Sequence, residues 1–274
     1  LMESENGFRI IIENDEEIIN EVKKIKLKYS DIGFVQDAYS LRCAPQVHGA
    51  ARNIINFAKK TLENEINNAN DNPLIYLSGD DLEVISGGNF HGQTLATIAD
   101  SLALAITTLS NISERRVFRL LDPNLNRGLP PFLALDTGVN SGLMITQYLA
   151  ADLAAENRQL SSPLSVHSIP TSANQEDLVS MSTMAAYRLL KMIDNLESII
   201  SIELLVASQA ISIRLDGADE NYLGPGTLIV FKEIKEILGE LPVREDRVFK
   251  NDIEAIKNNL YKILEKIEDI YKLY

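Results

Sequence analysis

The sequence predicts an all-α fold, an elongated bundle of long helices. One observation is the run from Ala173 to Ile213, which contains neither glycine nor proline and carries apolar residues at helical spacing. A helix of that length is typical of a bundle, because its apolar stripe needs partner helices along its whole length. A second observation is that no series of alternating segments is long enough to build a sheet.

Helical spacing between segments rich in glycine, proline and asparagine predicts five further helices. In chain order they cover residues 47–68, 94–119, 140–160, 227–238 and 246–272.

The long helix is expected to begin just after Pro170. Ser172 is followed three residues later by Gln175, which is the pattern of a capping box. On this interpretation the helix extends to about Ile213, and Glu176 lies in its first turn. An acidic side chain there interacts favourably with the helix dipole, which gives Glu176 an ordinary structural explanation.

Composition and charge indicate a cytoplasmic helical protein. The formal net charge of -13 at pH 7 would repel nucleic acid and anionic lipid, so we expect neither as a partner. The single cysteine, Cys43, excludes an intrachain disulfide and fits a reducing compartment. We also expect no apolar run to reach the length of a membrane-spanning helix. Residues 1–34 are rich in charge and are predicted to form a leading segment outside one helical domain of residues 35–274.

The segment QDAYSLRC places several chemically useful groups close together. Gln36, Tyr39 and Arg42 recur every three residues, so one helical turn would direct them to a common point. Arginine offers a planar charged fork for a carboxylate, and the amide and the phenol offer neutral hydrogen bonds. The pattern would suit a site for a small anion, although an arginine beside an apolar run more often has a structural role. The alternative is an arginine with a structural pairing role on a helix surface.

Other chemically interesting residues have plainer explanations. Gly87 and Gly88 allow a close backbone approach, with Phe90 as an apolar wall, but the residues alone favour an ordinary turn with a core phenylalanine. Glu203 lies on an apolar background and is interpreted as a polar contact between helices. The histidines lack the spacing of a metal site, so no metal is predicted, and each is interpreted as structural or exposed. They are His48, His91 and His167.

Four blocks of this sequence together resemble the histidine ammonia-lyase family, and they occur in the family's order. The resemblance extends from about Gly33 to the C-terminus. The blocks are QDAYSLRC (36–43), DNPL (71–74), SGGNFHGQ (86–93) and SIPTSANQEDLVSM (168–181).

The resemblance implies roles for five residues. Arg42 would hold the substrate carboxylate, and Gln36 and Tyr39 would support an electrophilic group by hydrogen bonds. Phe90 would lie beside that group. Glu176 would face the substrate side chain and could engage an imidazole. In the family the electrophile is a methylidene-imidazolone group, formed from an Ala-Ser-Gly segment of the N-terminal half. A mobile tyrosine loop of that half supplies the base.

The Ala-Ser-Gly tripeptide does not occur among the 274 residues. The resemblance therefore implies the C-terminal part of a lyase, inactive alone, which a separate N-terminal polypeptide completes. A fragment, or a relative that has lost the chemistry, would fit equally well. Family members form tetramers with sites built from several subunits, so a homo- or hetero-oligomer of that type is expected.

The expected reaction is elimination of ammonia from L-histidine to give urocanate. A carboxylate at Glu176 favours histidine, because phenylalanine-specific relatives carry glutamine there, although tyrosine-specific relatives can keep the glutamate. Ser162 and Leu178 stand where histidines are common in the family. The alternatives are a tyrosine or phenylalanine ammonia-lyase, an aminomutase, or a non-catalytic helical partner subunit.

Overall fold

The computed structural model describes residues 36–271, and the predicted leading segment of residues 1–34 lies outside this range. The described part forms seven α-helices and one two-stranded sheet, so the all-α prediction is confirmed. The elements are α1 (Tyr39–Arg42), α2 (Ala44–Ile66), β1 (Leu74–Ser78), β2 (Asp81–Ile85), α3 (Gln93–Leu121), α4 (Met144–Leu160), α5 (Ser182–Leu215), α6 (Pro225–Leu238) and α7 (Phe249–Tyr271).

The start of the long helix differs from the prediction. Helix α5 begins at Ser182, and the residues after Pro170 form a single 3-10 turn at Ser172–Asn174. The backbone at Ser172, Ala173 and Asn174 has φ values of 49°, 53° and 69°, which a right-handed helix cannot contain. The capping-box prediction is therefore wrong. Glu176 does not lie in a first helical turn, and its explanation by the helix dipole is wrong as well.

A short hairpin is the one sheet in the described part of the chain. Strands β1 and β2 are antiparallel, and Gly79, with φ of 67°, begins the two-residue turn that joins them. Ile75 pairs with Val84 on one face, and all four large apolar side chains on that face are exposed. The remaining pair on this face is Leu77 with Leu82.

The described chain groups into two compact units, each with its own contacts. The first unit contains residues 36–45, 112–153 and 197–271, and the second contains 46–111 and 154–196. The first unit holds the larger apolar core, built from parts of α3 to α7. Its fully buried side chains include Val117, Leu121, Leu133, Leu143, Ile202, Leu205, Ile234 and Ile256.

The second unit has a small core in which alanines allow helices to approach closely. Ala96 and Ala99 of α3 pack with Ala185 of α5, and Leu164 and Leu189 cover them. This packing fixes the parts of α3 and α5 that flank two of the four sequence blocks.

Two helices, α3 and α5, are long and apolar enough to cross a membrane, judged by length and composition alone. In their most apolar windows, 56% and 44% of the residues are buried inside the protein. The expectation that no apolar run reaches this length is therefore wrong. Both helices also carry charged side chains in ion pairs, Arg116 with Glu203 and Arg188 with Asp100, which suits core helices of a bundle.

Candidate functional site

The Gln36–Arg42 block ends in the single turn of helix α1. The amides of Leu41 and Arg42 both donate to the carbonyl of Ala38 at 3.0 Å. The guanidinium of Arg42 lies over the ring of Tyr39, with 4.5 Å from its central carbon to the ring centroid. This cation–π contact brings the charge and the phenol of the block together. The three-residue spacing was a sound indication of that proximity for these two side chains.

Hydrogen-bonding groups of this block are available to a ligand. Arg42 uses Nε to donate to the carbonyl of Asp37 at 2.9 Å. Its two terminal nitrogens make no hydrogen bond within residues 36–271, and the same holds there for the side chains of Gln36 and Tyr39. Tyr39 is 70% exposed. A planar fork whose terminal N–H groups have no acceptor in the described part of the chain is suited to binding a carboxylate in two places at once. Cys43, which follows the fork, is only partly buried and carries a free thiol.

The DNPL and SGGNFHGQ blocks contact each other in the second unit. Asn72 Oδ1 accepts hydrogen bonds from the amide of Gly87 at 3.0 Å and from the hydroxyl of Ser86 at 3.3 Å. The next side chain, Asn89, donates to a backbone carbonyl that precedes DNPL. Phe90 is 56% exposed, so its interpretation as a core phenylalanine is wrong. Its ring therefore forms an exposed apolar surface.

The SGGNFHGQ block also contacts the segment 168–181. His91 donates from Nε2 to the carbonyl of Leu178 at 2.9 Å, which gives this histidine a structural contact. Gly92 lies against Ser182, and a Cβ built on Gly92 would be 2.4 Å from the Ser182 hydroxyl. Only glycine allows that approach. These contacts join the blocks that contain Phe90 and Glu176.

Glu176 is held within a closed loop. The Ser168 hydroxyl accepts from the amide of Val179 at 2.7 Å, which closes the base of the loop. Nearer the tip, the amide of Thr171 donates to the carbonyl of Glu176 at 2.9 Å. The hydroxyl of Thr171 donates to Oε2 of Glu176 at 2.6 Å, so the carboxylate has a fixed direction although the residue is exposed.

The left-handed residues 172–174 lie between these partners. Three consecutive non-glycine residues with positive φ are costly, and such strain concentrates at functional sites.

A buried ion pair holds the chain just before this loop. Asp100 accepts from the amides of Leu164 and Ser165 at 3.1 and 2.9 Å, and Arg188 donates to Asp100 and to the carbonyl of Leu160. Burial raises the pKa of Asp100, but the hydrogen bonds from Ser165 and Leu164 and the charge of Arg188 outweigh it, so its pKa lies below the usual value. The segment of residues 160–165 is therefore held by an ionised aspartate.

The structure brings three of the four blocks together by direct contact, and all three lie in the second unit. Gln36, Tyr39 and Arg42 lie in the first unit, where they share one block. Sequence reasoning missed Thr171, because nothing in a loop sequence reveals a partner for its hydroxyl. It also missed the pair of Asp100 and Arg188, although a lone charge in an Ala- and Leu-rich helix was a usable signal. Within residues 36–271, no group of three acidic, histidine or cysteine side chains could hold a metal ion.

Comparison with known proteins identifies the family. The family model described as aromatic amino acid lyase matches residues 11–236. A histidine ammonia-lyase of Staphylococcus saprophyticus is 49% identical over 226 residues, which is 82% of this chain and 44% of that protein.

Solved structures of similar proteins indicate the same family. The histidine ammonia-lyase of Trypanosoma cruzi has a TM-score of 0.79 and 42% identity, over 85% of this chain and 45% of that one. The phenylalanine aminomutase of Pantoea agglomerans has a TM-score of 0.77 and 34% identity, over 88% of this chain and 47% of that one. The chain thus spans less than half the length of these relatives. It belongs to the aromatic amino acid lyase family.

Proposed function

We propose that this chain supplies the C-terminal part of an ammonia-lyase that eliminates ammonia from L-histidine to give urocanate. The observation that carries the proposal is the guanidinium of Arg42, whose two terminal nitrogens make no hydrogen bond in the described part of the chain. The identity of 49% to a histidine ammonia-lyase supports the choice of reaction. The carboxylate of Glu176, oriented by Thr171, supports the choice of histidine, because it can accept an imidazole N–H.

Three residues have different roles in this proposal, and each role follows from the chemistry of the side chain. Arg42 binds the substrate carboxylate with its fork, and Glu176 orients the substrate ring. Phe90 provides the apolar wall that a planar ring needs. Orientation of this kind matters because the proton to be removed is only weakly acidic, so the reacting groups must be held in place.

The proposed electrophile is the methylidene-imidazolone group of the family, contributed by an N-terminal polypeptide with an Ala-Ser-Gly segment. When bound, that group supplies an electron-poor centre that helps the weakly acidic proton of the substrate to be removed. The donor set of this chain fits such a carbonyl-bearing group, because Gln36 and Tyr39 offer an amide and a phenol that make no hydrogen bond within residues 36–271. Open space also surrounds Gly87 and Gly88, since no atom lies within 4 Å of a Cβ built on either.

We propose that the complete enzyme is an assembly of the tetrameric type. Helix α5 carries a row of exposed large apolar residues at helical spacing, which an assembly would remove from water. The row consists of Met184, Tyr187, Leu190 and Ile193. In the reconstituted mixture at micromolar concentration, we expect the protein to sediment with a mass above that of the monomer. Leu190→Asp should lower the sedimenting mass. A monomeric wild-type chain in the reconstituted mixture would contradict this assembly.

The test of the function is reconstitution. The chain alone should form no urocanate, and mixing or co-expression with an Ala-Ser-Gly-bearing N-terminal half should restore urocanate formation, measured by its ultraviolet absorbance. Urocanate production by the chain alone, from a host without its own lyase, would contradict the need for a partner. No activity after reconstitution would favour the non-catalytic alternative.

Arg42→Ala should lower kcat/KM in the reconstituted enzyme roughly 100-fold, because the substrate carboxylate loses its bidentate partner. This corresponds to a loss of transition-state stabilisation on the order of 3 kcal/mol. Arg42→Lys should recover only part of this, since a point charge does not reproduce the fork. Arg158→Ala, which removes an exposed arginine of α4, is the control and should leave kcat/KM unchanged. Wild-type kinetics in Arg42→Ala would remove the carboxylate role.

An aminomutase is the second candidate, favoured by the structural similarity to the aminomutase of Pantoea agglomerans. A mutase returns the amine to the neighbouring carbon, so its product is a β-amino acid and not an unsaturated acid. Chromatography of the reaction products on histidine, tyrosine and phenylalanine separates the two functions.

A further inference from the structure

A half-buried ion pair lies next to the Gln36–Arg42 block. Arg116 of α3 donates from Nη2 to Oε2 of Glu203 on α5 at 2.8 Å, and its Nε donates to the other carboxylate oxygen. The hydroxyl of Ser113 donates to the same carboxylate at 2.5 Å. Only 18% of the Arg116 side chain and 20% of the Glu203 side chain are exposed. Glu203 therefore holds Arg116 by two hydrogen bonds and by the attraction of opposite charges, and Ser113 fixes the carboxylate with a third hydrogen bond.

The third nitrogen of this arginine contacts the block itself. Nη1 of Arg116 donates to the carbonyl of Ser40 at 3.4 Å, and Ser40 lies within helix α1 beside Tyr39. Helix α1 has only four residues, none of them buried. A helix this short is not stable by itself, so contacts from outside must determine its conformation.

A second arginine holds the other end of the block. Arg127 forms an ion pair with the carboxylate of Asp37, whose carbonyl accepts from Nε of Arg42. Arg127 is itself fixed through its backbone, because Arg214 donates to its carbonyl at 3.0 Å. Arg127 thus contacts the side chain of Asp37, which precedes Tyr39 in the chain. Arg116 contacts the backbone carbonyl of Ser40, which follows it.

We propose that Arg116 and Arg127 are positioning residues that hold the Gln36–Arg42 block in its ligand-ready conformation. This role rests on the proposed function, because it is the fork of Arg42 and the phenol of Tyr39 that they fix. A pair buried like Arg116 and Glu203 adds little net stability over an apolar pair of the same size. Its third hydrogen bond, to Ser40, gives it a use that an apolar pair could not provide.

Hydrogen exchange on the full chain, read by mass spectrometry on peptides of residues 36–43, tests the proposal. Arg116→Gln should speed exchange about 10-fold at the amides of Leu41, Arg42 and Cys43, while peptides of α7 stay unchanged, because only the local opening becomes easier. Arg115→Gln is the matched control, since Arg115 directly precedes Arg116 in α3 and pairs with its own neighbour Glu114. Equal exchange in the two variants would overturn the proposal.

A charge swap separates positioning from structural support. Arg116→Glu combined with Glu203→Arg restores an ion pair but provides no donor to the carbonyl of Ser40. We expect the double variant to regain the wild-type unfolding midpoint and to keep the fast exchange in residues 36–43. Recovery of both properties would make the pair purely structural and overturn its positioning role.

Two further measurements complete the test. If Arg116→Gln does not fold, Arg127→Gln gives the same readout at the other end, where the ion pair with Asp37 is more exposed. In the reconstituted enzyme, Arg116→Gln should raise KM about 10-fold and change kcat less than about twofold, the pattern of weakened substrate binding. Exchange is read on the chain alone, so a failure to reconstitute activity would contradict the proposed function without altering the exchange result.

Discussion

Single residues of the candidate site differ in how many of their polar groups are already used. Within residues 36–271, Arg42 uses only Nε for a hydrogen bond, and Tyr39 makes a ring contact and no hydrogen bond. Glu176, in contrast, has one carboxylate oxygen fixed by Thr171. The first two have capacity for a ligand, while Glu176 combines one fixed oxygen with one that can accept a further hydrogen bond.

The fixed oxygen of Glu176 leads to a prediction about specificity. Glu176→Gln should weaken histidine turnover and relatively favour phenylalanine, because an amide loses the charge that attracts an imidazole N–H. Thr171→Val should shift the ratio of kcat/KM values in the same direction by about 10-fold, the worth of one charged hydrogen bond. Thr171→Ser keeps the hydroxyl and serves as the control. Kinetics on both substrates in the reconstituted enzyme measure the ratio, and an unchanged ratio would exclude a specificity role for Glu176.

At the same scale, sequence reasoning succeeds where partners are close in the chain. The spacing of Tyr39 and Arg42 predicted their proximity because one helical turn brings such residues together. The pair of Asp100 and Arg188 is separated by 88 residues, and Arg116 and Glu203 by 87. Local spacing carries no information about such pairs. Only the packing of α3 against α5 within each unit brings them into contact.

At the scale of elements, helix α5 shows how a local signal can be overridden. Ser172 and Gln175 have the right spacing for a capping box, yet the chain there forms a left-handed turn. The turn allows Thr171 and Glu176 to pair, which a continuous helix would prevent. The hydrogen bonds between Thr171 and Glu176 therefore replace the capping interaction, whose worth is only about 1 kcal/mol.

The end of helix α6 provides a clean test of backbone strain. Gly239 caps the helix with φ of 71°, and no atom lies within 4 Å of a Cβ built there, so any cost of Gly239→Ala comes from the backbone alone. We expect a loss of about 1 kcal/mol in the free energy of unfolding, measured in urea.

Gly226, in the first turn of α6, is the matched control for that change. It has equally open space and no positive φ, so Gly226→Ala should be neutral or stabilise by up to about 1 kcal/mol. Equal effects at the two glycines would show that the left-handed cap does not limit stability.

At the scale of the whole molecule, the sequence predicted the fold class and the family from independent features. Helical periodicity gave the all-α class, and four chemically unusual blocks gave the relationship. The hairpin was missed, because two strands of five residues are too short to stand out from a helical pattern. The grouping of the chain into two units was missed as well, since α3, α4 and α5 each contribute to both and no linker marks the boundary.

Acid should destabilise the whole molecule through its buried carboxylates. The pKa of Asp100 is lowered in the folded state from a value of 3.8, so its contribution is fully present above that pH. The contribution is lost as the pH falls through the folded pKa. The free energy of unfolding should therefore decrease as the pH falls below about 4 toward the folded pKa, and less steeply in Asp100→Asn. Urea unfolding across this range gives both slopes.

Glu254→Gln is the control for this pH series. Its pair with Lys250 is exposed, so the pair contributes little at any pH, and the slope should match that of the wild-type protein. A wild-type slope in Asp100→Asn would mean that the buried aspartate does not govern acid stability.

The thiol of Cys43 gives the chain a built-in reporter. It is the single cysteine of all 274 residues, it is partly accessible, and it directly follows Arg42. A fluorophore attached by thiol chemistry would therefore carry one label per chain, beside the proposed carboxylate fork, without any engineered change. A change in the fluorescence of this label would then report docking of an N-terminal half in real time, independently of any turnover assay.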